Sequence, residues 1–495
     1  MNPKCLQKGA IYELVEIAKR CNLWKNDFME RKYLQDLIDW SNDPMRKPLI
    51  VWGARQVGKT YLIEDLFAKV YYSGRYLRID CSDDDDFVDY VSENDNLNKV
   101  ITYIQTHYDF SLDSNHLLII DEAQECLPIV KMMKHFCEKR RDIPLIVTGS
   151  LVRLKIKRQA HKRGGYAKKG FLFPVGKTNQ LSIFPLTFDE YLKNLNGRLY
   201  DYLLGHYQKR EPVDQKLHEE ALSAFHDYLF VGGMPEPENV FLLHAHDKAK
   251  AYAEASKKIK EVFSDYLADM ELYQASPESI VRSRTIYQNI YSQLNKENKN
   301  FKVSQVEEGS KTRDMATPID WLVTARVAMK AYQLKERVVT PLVEDEEALF
   351  RLYLSDMGLF TFQSGMNAAA FVGGGENGLS GIYYENYLAT ELAAREFKLF
   401  YWKGKRDSEL EFIVDAGLAA VPFDVKKKRG SLNSLSEYRN HNKKSLVVKV
   451  SSSQYGFDSK QEILTLPFYY VSFFLDDLKK GAIYESEIPA KRCNL

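Results

Sequence analysis

The sequence predicts a multidomain α/β protein: a parallel-sheet core, then a helical lid and a winged-helix-like stretch, then a second α/β domain. Three observations predict it. Between residues 49 and 150, short apolar runs that end in Gly, Asp or Thr alternate with amphipathic stretches, the pattern of strands joined by crossover helices. From about Ala221 to Tyr273 apolar residues recur every three or four positions among strong helix formers, so that segment reads as all-helical. Between 399 and 426 three strand-like runs follow one helical run.

Composition sets the limits. A chain of 495 residues with 45% hydrophobic residues can build two to four domains, each with its own core. A formal charge of +1 excludes a protein that is basic throughout, so any contact with nucleic acid must come from a local patch. The six cysteines form no CxxC pair, and no secretory signal or run of 18 apolar residues is present, so a reduced, cytoplasmic protein is expected, with no membrane contact. Cys126 and Cys137 read as ordinary buried thiols.

The first element is the apolar run Leu49-Ile50-Val51-Trp52, a buried strand. It leads into Gly53-Ala54-Arg55-Gln56-Val57-Gly58-Lys59-Thr60, and Tyr61-Leu62-Ile63-Glu64-Asp65-Leu66-Phe67 then reads as an amphipathic helix. The octapeptide fits the phosphate-cradling P-loop pattern at every required position. Gly53 and Gly58 allow tight backbone geometry, so that successive N–H groups and a helix N-terminus can surround a phosphate. Lys59 would reach the β- and γ-phosphates, and the Thr60 hydroxyl would ligate Mg²⁺.

Tyr76-Leu77-Arg78-Ile79-Asp80 reads as a further strand, and the acidic run Asp83 to Asp86 as a solvated loop. Leu117-Leu118-Ile119-Ile120 runs directly into Asp121-Glu122-Ala123-Gln124, a Walker B arrangement. Asp121 would hold the metal, directly or through water, and Glu122 is the candidate base for the attacking water. Asp-Glu at a strand exit also suits a helix N-cap, but its place some sixty residues after a P-loop favours the Walker B reading. Leu145-Ile146-Val147-Thr148 ends at Gly149-Ser150, beyond the carboxyl end of a parallel strand, where Ser150 can sense the γ-phosphate.

These residues together resemble the AAA-type ATPases of bacteria and archaea that carry a C-terminal DUF4143 domain. The resemblance starts at Met29-Glu30-Arg31-Lys32-Tyr33-Leu34 and includes the P-loop, Asp121-Glu122-Ala123-Gln124, Thr148-Gly149-Ser150 and Phe173-Pro174-Val175-Gly176-Lys177. It continues through Phe184-Pro185-Leu186-Thr187-Phe188-Asp189-Glu190-Tyr191, Gly232-Gly233-Met234-Pro235-Glu236 and Leu354-Ser355-Asp356-Met357-Gly358-Leu359. It implies ATP as the nucleotide with Mg²⁺, and a turn at Gly232-Gly233-Met234-Pro235 in the helical lid with Pro235 near the base. Read from the residues alone, those four make only a tight turn.

Between Leu151 and Phe188 no acidic residue occurs, while Arg153, Lys155, Lys157, Arg158, Lys162, Arg163, Lys168, Lys169 and Lys177 are basic. Three readings stand: a solvated loop, a track along the phosphates of double-stranded DNA, or an arginine finger toward a neighbouring subunit in an oligomer. From Ser279 to Val343 helical stretches precede a β-like piece, Tyr332 to Val339. The order suits a winged helix, a reading the resemblance supports more than the pattern does.

At the C-terminal end a helix around Tyr383 to Leu392 precedes strands Leu399 to Trp402, Glu409 to Val414 and Ala420 to Lys426. Alternation puts Asp424 and Lys426 on one face, and Glu409 and Glu411 on another. This looks like a PD-(D/E)xK, restriction-endonuclease-like core, in which two carboxylates hold Mg²⁺ and a lysine steadies the attacking water. Glu411, Asp424 and Lys426 match those positions, with Glu385 as an extra ligand, although Glu411 stands where Asp is usual. A working nuclease, a nuclease fold without cleavage and an unrelated strand all remain readings of these residues.

The expected organisation is an N-terminal extension (1–28), a P-loop ATPase core (29–195), the helical lid (196–275), the winged-helix-like stretch (276–345), the nuclease-like domain (346–478) and a tail (479–495). The expected function is ATP hydrolysis coupled to a nuclease-like domain acting on DNA. The alternative is a slow ATP-gated switch that recruits DNA or a protein without cutting. One repeat stands apart: residues 7–23 and 479–495 agree at 12 of 17 positions. It suggests that residues 1–28 are the translated tail of a related neighbouring gene and that the working protein starts at Met29.

Overall fold

The computed structural model describes residues 29–149, 174–274, 276–345, 349–372, 379–405, 408–417, 419–426, 433–442 and 446–481. The chain divides into two compact units, with the boundary between Phe184 and Pro185. Both copies of the repeat fall almost wholly outside the described residues.

In the first unit, helix α1 (Tyr33–Asn42) precedes five strands: β1 (Leu49–Gly53), β2 (Tyr76–Asp80), β3 (Leu117–Asp121), β4 (Leu145–Thr148) and β5 (Asn179–Ile183). All pair in parallel, in the order β2-β3-β4-β1-β5. Every residue of β1, β3 and β4 is buried, as central strands covered on both faces require, whereas the edge strand β2 is mostly half-exposed. The strands expected from the sequence lie where they were read.

The helix after the P-loop runs from Tyr61 to Ala68 in the wider π winding and continues as Lys69–Tyr71 (α2). Helices α3 (Asp85–Glu93), α4 (Leu97–His107) and α5 (Leu127–Lys139) place Phe87, Val91, Ile104, Met133 and Phe136 in one core with Ile50, Ile79 and Ile120 of the sheet. The acidic run 83–86 is largely exposed, as expected, but it forms the start of a helix rather than a loop. Asp84 caps α3, accepting from the Phe87 N–H at 2.9 Å, and Asp85 and Asp86 sit in its first turn, where the helix dipole favours negative charge. Cys81, Cys126 and Cys137 are buried and unbridged.

The second unit opens with a helical region: α6 (Phe188–Leu195), α7 (Gly197–Lys209), α8 (Gln215–Val231), α9 (Pro235–Leu243), α10 (Lys248–Tyr273), α11 (Pro277–Gln288), α12 (Ile290–Leu294) and α13 (Thr312–Thr324). The strand that follows, β6 (Ala328–Leu334), starts four residues before the expected one. Ala328, Met329 and Ala331 supply the buried positions, and the charged run Lys335-Glu336-Arg337 ends it. β6 pairs antiparallel with β7 (Phe350–Leu354) and parallel with β8 (Leu399–Lys403), so the hairpin belongs to a four-stranded sheet rather than standing alone as a wing.

Helix α14 (Met357–Gln363) follows β7, and α15 (Gly381–Ala394) precedes β8. The expected strand over 409–414 is two pieces. β9 (Glu409–Leu410) pairs with β8, and β10 (Phe412–Asp415) pairs with β11 (Ala420–Val425), so the chain passes from one sheet to the other at Glu411. After α16 (Asn433–His441), strands β12 (Val447–Ser451), β13 (Gly456–Asp458) and β14 (Ile463–Pro467) complete a mixed sheet in the order β10-β11-β12-β14-β13, and α17 (Val471–Lys479) ends the unit.

Candidate functional site

The P-loop is the turn between β1 and the helix that starts at Tyr61. Gln56 (φ 62°) and Gly58 (φ 83°) take left-handed backbone conformations, which bend the chain back over the end of the sheet. Gly53 is required for another reason: a Cβ there would lie 2.7 Å from the Ile183 carbonyl of β5. Ala54 and Val57 are buried and Arg55 is exposed. Lys59 is buried beneath the loop, its ammonium donating to the Ala54 carbonyl at 2.7 Å and the Gly53 carbonyl at 3.3 Å. Arg31, buried ahead of α1, braces the loop from outside, donating to the Val57 carbonyl at 2.8 Å and the Phe184 carbonyl at 2.7 Å.

One strand, β4, separates β1 from β3, yet the carboxyl ends of β1 and β3 converge on one point. Thr60 Oγ1 donates to Asp121 Oδ2 at 3.3 Å, which joins the last residue of the octapeptide to the Walker B acid. The other oxygen, Oδ1, accepts the Glu122 N–H at 2.9 Å. Glu122 holds φ at 45°, a strained value for a non-glycine residue, and its carboxylate is hydrogen-bonded by the Gln124 amide. The hydroxyl and carboxylate that a magnesium ion would need are thus adjacent, so the residues fit the ion. Ser150 and residues 151–173, with most of the basic insertion, lie outside the described residues. Pro235 belongs to the second unit, where it opens α9.

The sequence reading missed Arg78. Its guanidinium donates to Asp121 Oδ2 through Nε at 3.0 Å and Nη2 at 2.7 Å, and to Asp80 Oδ2 at 2.6 Å. Burial works against its charge, but the bond to Asp121 together with the charges of Asp121, Asp80 and Glu64 outweighs that and holds the guanidinium above its usual range. An arginine beside apolar residues on the strand next to the acid-bearing one was the available signal.

The second unit gathers a different constellation. Lys426 Nζ lies 3.1 Å from Glu411 Oε1 and 2.9 Å from Asp424 Oδ1, and the Val425 N–H donates to Glu411 Oε2 at 3.0 Å. Burial, then the Asp424 charge, pushes Glu411 up to about 7 against the pull of Lys426. Glu385 faces other partners: Tyr353 Oη at 2.5 Å, Arg351 Nη1 at 3.2 Å and Lys299 Nζ at 2.6 Å. Glu409 accepts from Lys299 at 2.9 Å and from Arg351 at 2.6 Å. Burial opposes the Glu409 charge, but Arg351 and Lys299 hold it down at about 2. The break at Glu411 explains why Glu409 and Glu411 do not share partners, as unbroken alternation would have had them do.

Four carboxylates therefore meet three cations, Lys299, Arg351 and Lys426. Among the described residues no group of three or more His, Cys, Asp or Glu is placed to hold a metal ion. As arranged, these residues do not fit one. Arg351 was legible as a lone charge inside the apolar run Phe350-Arg351-Leu352-Tyr353-Leu354, fully buried and stacked 3.9 Å from the Tyr401 ring centroid. Lys299, in a polar stretch, carried no signal.

Residues 45–192 match the family model of an AAA domain. The chain carries an AAA-type P-loop ATPase domain. Residues 222–370 match DUF8612 and residues 380–469 match DUF4143, both domains of unknown function. The DUF8612 stretch spans the helical region from α8 onward, together with β6, β7 and α14. No curated protein matches the chain. Among solved structures it is similar to a Walker-type ATPase of Pyrococcus abyssi, at 14% identity and a TM-score of 0.42, covering 69% of this chain and 97% of that one. Among the described residues no helix is long and apolar enough to cross a membrane.

Proposed function

We propose that this protein binds ATP with Mg²⁺, hydrolyses it, and uses the nucleotide state to control a nuclease-like C-terminal domain that engages DNA without cutting it in its ion-paired form. The bond from Thr60 to Asp121 carries the ATPase reading. Lys59 would leave its carbonyl partners for the β- and γ-phosphates, Glu122 would take the proton of the attacking water, and Ser150 would face the γ-phosphate. Mg²⁺, held by Thr60 and Asp121, would offset the charge that builds on the phosphates. In a phosphate-release assay, Glu122→Gln should bind ATP and fail to turn it over. Wild-type turnover in that variant would remove Glu122 from the role.

For the C-terminal domain, the order α15, β8, β9 and β10, β11, α16, β12, with Glu411 at the break just before β10 and Asp424-Val425-Lys426 at the end of the neighbouring β11, supports a nuclease-like fold. Lys299 and Arg351 on the carboxylates favour the reading without cleavage. A cutting enzyme, with Glu385, Glu411 and Asp424 around Mg²⁺ and Lys426 at the scissile phosphate, is the rival. Linearisation of plasmid DNA by the wild-type protein with Mg²⁺ or Mn²⁺, lost in Asp424→Ala, would favour the rival.

A further inference from the structure

Arg78 and Asp80 are two residues apart on β2 and so share one face, and Asp80 stands opposite Asp121 of β3 in the parallel register. Both Arg78 nitrogens converge on Asp121 Oδ2, the oxygen that also accepts from Thr60. The remaining oxygen is taken by the Glu122 N–H. Both oxygens of the acid at the nucleotide site thus accept hydrogen bonds from the protein, and two nitrogens of one guanidinium, shared with Asp80 and Glu64, offset part of its charge.

The two partners differ in freedom. The Asp121 side chain is 4% exposed and anchored at a strand end, whereas Arg78 is 30% exposed and already touches two other carboxylates, Asp80 at 2.6 Å and Glu64 at 3.9 Å. If one group yields, it is the arginine, and it has an acidic face to move to.

Resting on the ATPase reading, we propose that Arg78 is a positioning residue that competes with nucleotide-bound Mg²⁺ for Asp121. Arginine and metal ion would both draw on the Asp121 carboxylate and its negative charge. Binding of one therefore weakens the other by the same factor. Arg78 keeps Asp121 oriented toward Thr60 before the nucleotide arrives, and moves onto Asp80 and Glu64 when Mg²⁺ enters with it. The cost of that displacement sets the Mg²⁺ concentration at which the site closes.

The test titrates Mg²⁺ against ATP binding in the Glu122→Gln background, where ATP is not consumed, by calorimetry. Magnesium-free ATP affinity is measured alongside as the readout that a general loss of structure would move. Arg78→Met should lower the half-saturating Mg²⁺ concentration about tenfold while changing magnesium-free ATP affinity less than threefold. Arg78→Lys, which keeps the charge but loses the bidentate geometry, should fall between, and serves alone if the methionine variant does not fold. An unchanged or higher Mg²⁺ requirement in a folded variant overturns the proposal. If the parent Glu122→Gln protein binds no ATP with or without Mg²⁺, the ATPase reading itself falls, and this one with it.

Discussion

The Lys299 ammonium stands 2.6 Å from Glu385 Oε2 and 2.9 Å from Glu409 Oε1, bridging a helix and a strand that lie 86 and 110 residues further along the chain. Its own charge is held above the usual lysine range by those two carboxylates, against the cost of burial. Lys299→Met would leave two carboxylates sharing one arginine. We expect a loss on the order of 2 kcal/mol in urea unfolding, less than for a fully buried pair because Lys299 retains some contact with water. Mg²⁺ or Mn²⁺ should then raise the melting temperature of the variant but not of the wild type. A wild type stabilised by these ions through Glu385 would contradict the ion-paired site.

Two buried carboxyls make stability depend on pH in an unusual direction. Glu411 is pushed up to about 7 from 4.5 and Asp356 to about 6 from 3.8, both chiefly by burial. A carboxyl raised on folding stabilises the fold while protonated, so its contribution is complete below the unfolded value and is lost as pH rises through the folded one. Stability should therefore fall between about pH 4 and 7, by on the order of 3 kcal/mol for Glu411. Glu409, held at about 2, works the other way, its contribution being lost as pH falls below about 4.5. Urea midpoints at several pH values should show the first slope flattened in Glu411→Gln. An unaltered slope would remove Glu411 as its source.

Two glycines should respond oppositely to alanine. A Cβ on Gly233 would lie 1.9 Å from the Leu186 carbonyl, in the turn where the Gly233 N–H donates to Asp356 Oδ2 at 2.7 Å. Gly233→Ala should destabilise by about 3 kcal/mol or prevent folding. Gly205 lies inside α7 with nothing within 4 Å of a new Cβ, so Gly205→Ala should stabilise by about 1 kcal/mol. Thermal unfolding of the pair distinguishes steric demand from helix propensity.

If the basic insertion follows DNA phosphates, replacing Arg158, Lys162 and Arg163 with Gln should weaken binding at all sequences alike. It should also reduce the slope of log affinity against log salt by about two to three. Fluorescence anisotropy at several salt concentrations measures both. An unchanged slope would leave the segment as a solvated loop.

The candidate nucleotide site could be located in the sequence because its pattern is local: an octapeptide between a strand and a helix marks where phosphates would go, and Asp121-Glu122 at a strand end marks the acid that the structure places beside Thr60. Four strands of the parallel sheet were legible too, the three central ones because strands covered on both faces are short, unbroken apolar runs; the edge strand β5, Asn179-Gln180-Leu181-Ser182-Ile183, is half polar and was not read. Arg78, by contrast, acquires its role only from the pairing of β2 with β3, and Glu411 leaves the face of Glu409 only because the strand is handed from one sheet to another. Lys299 reaches Glu385 across 86 residues. The sequence by itself determined the P-loop, the acid at the end of β3 and most of the order of elements. Which carboxylates are free to meet a metal and which are already neutralised was decided by tertiary structure alone, because the energy of a buried charge depends on what the fold brings within a few ångströms of it.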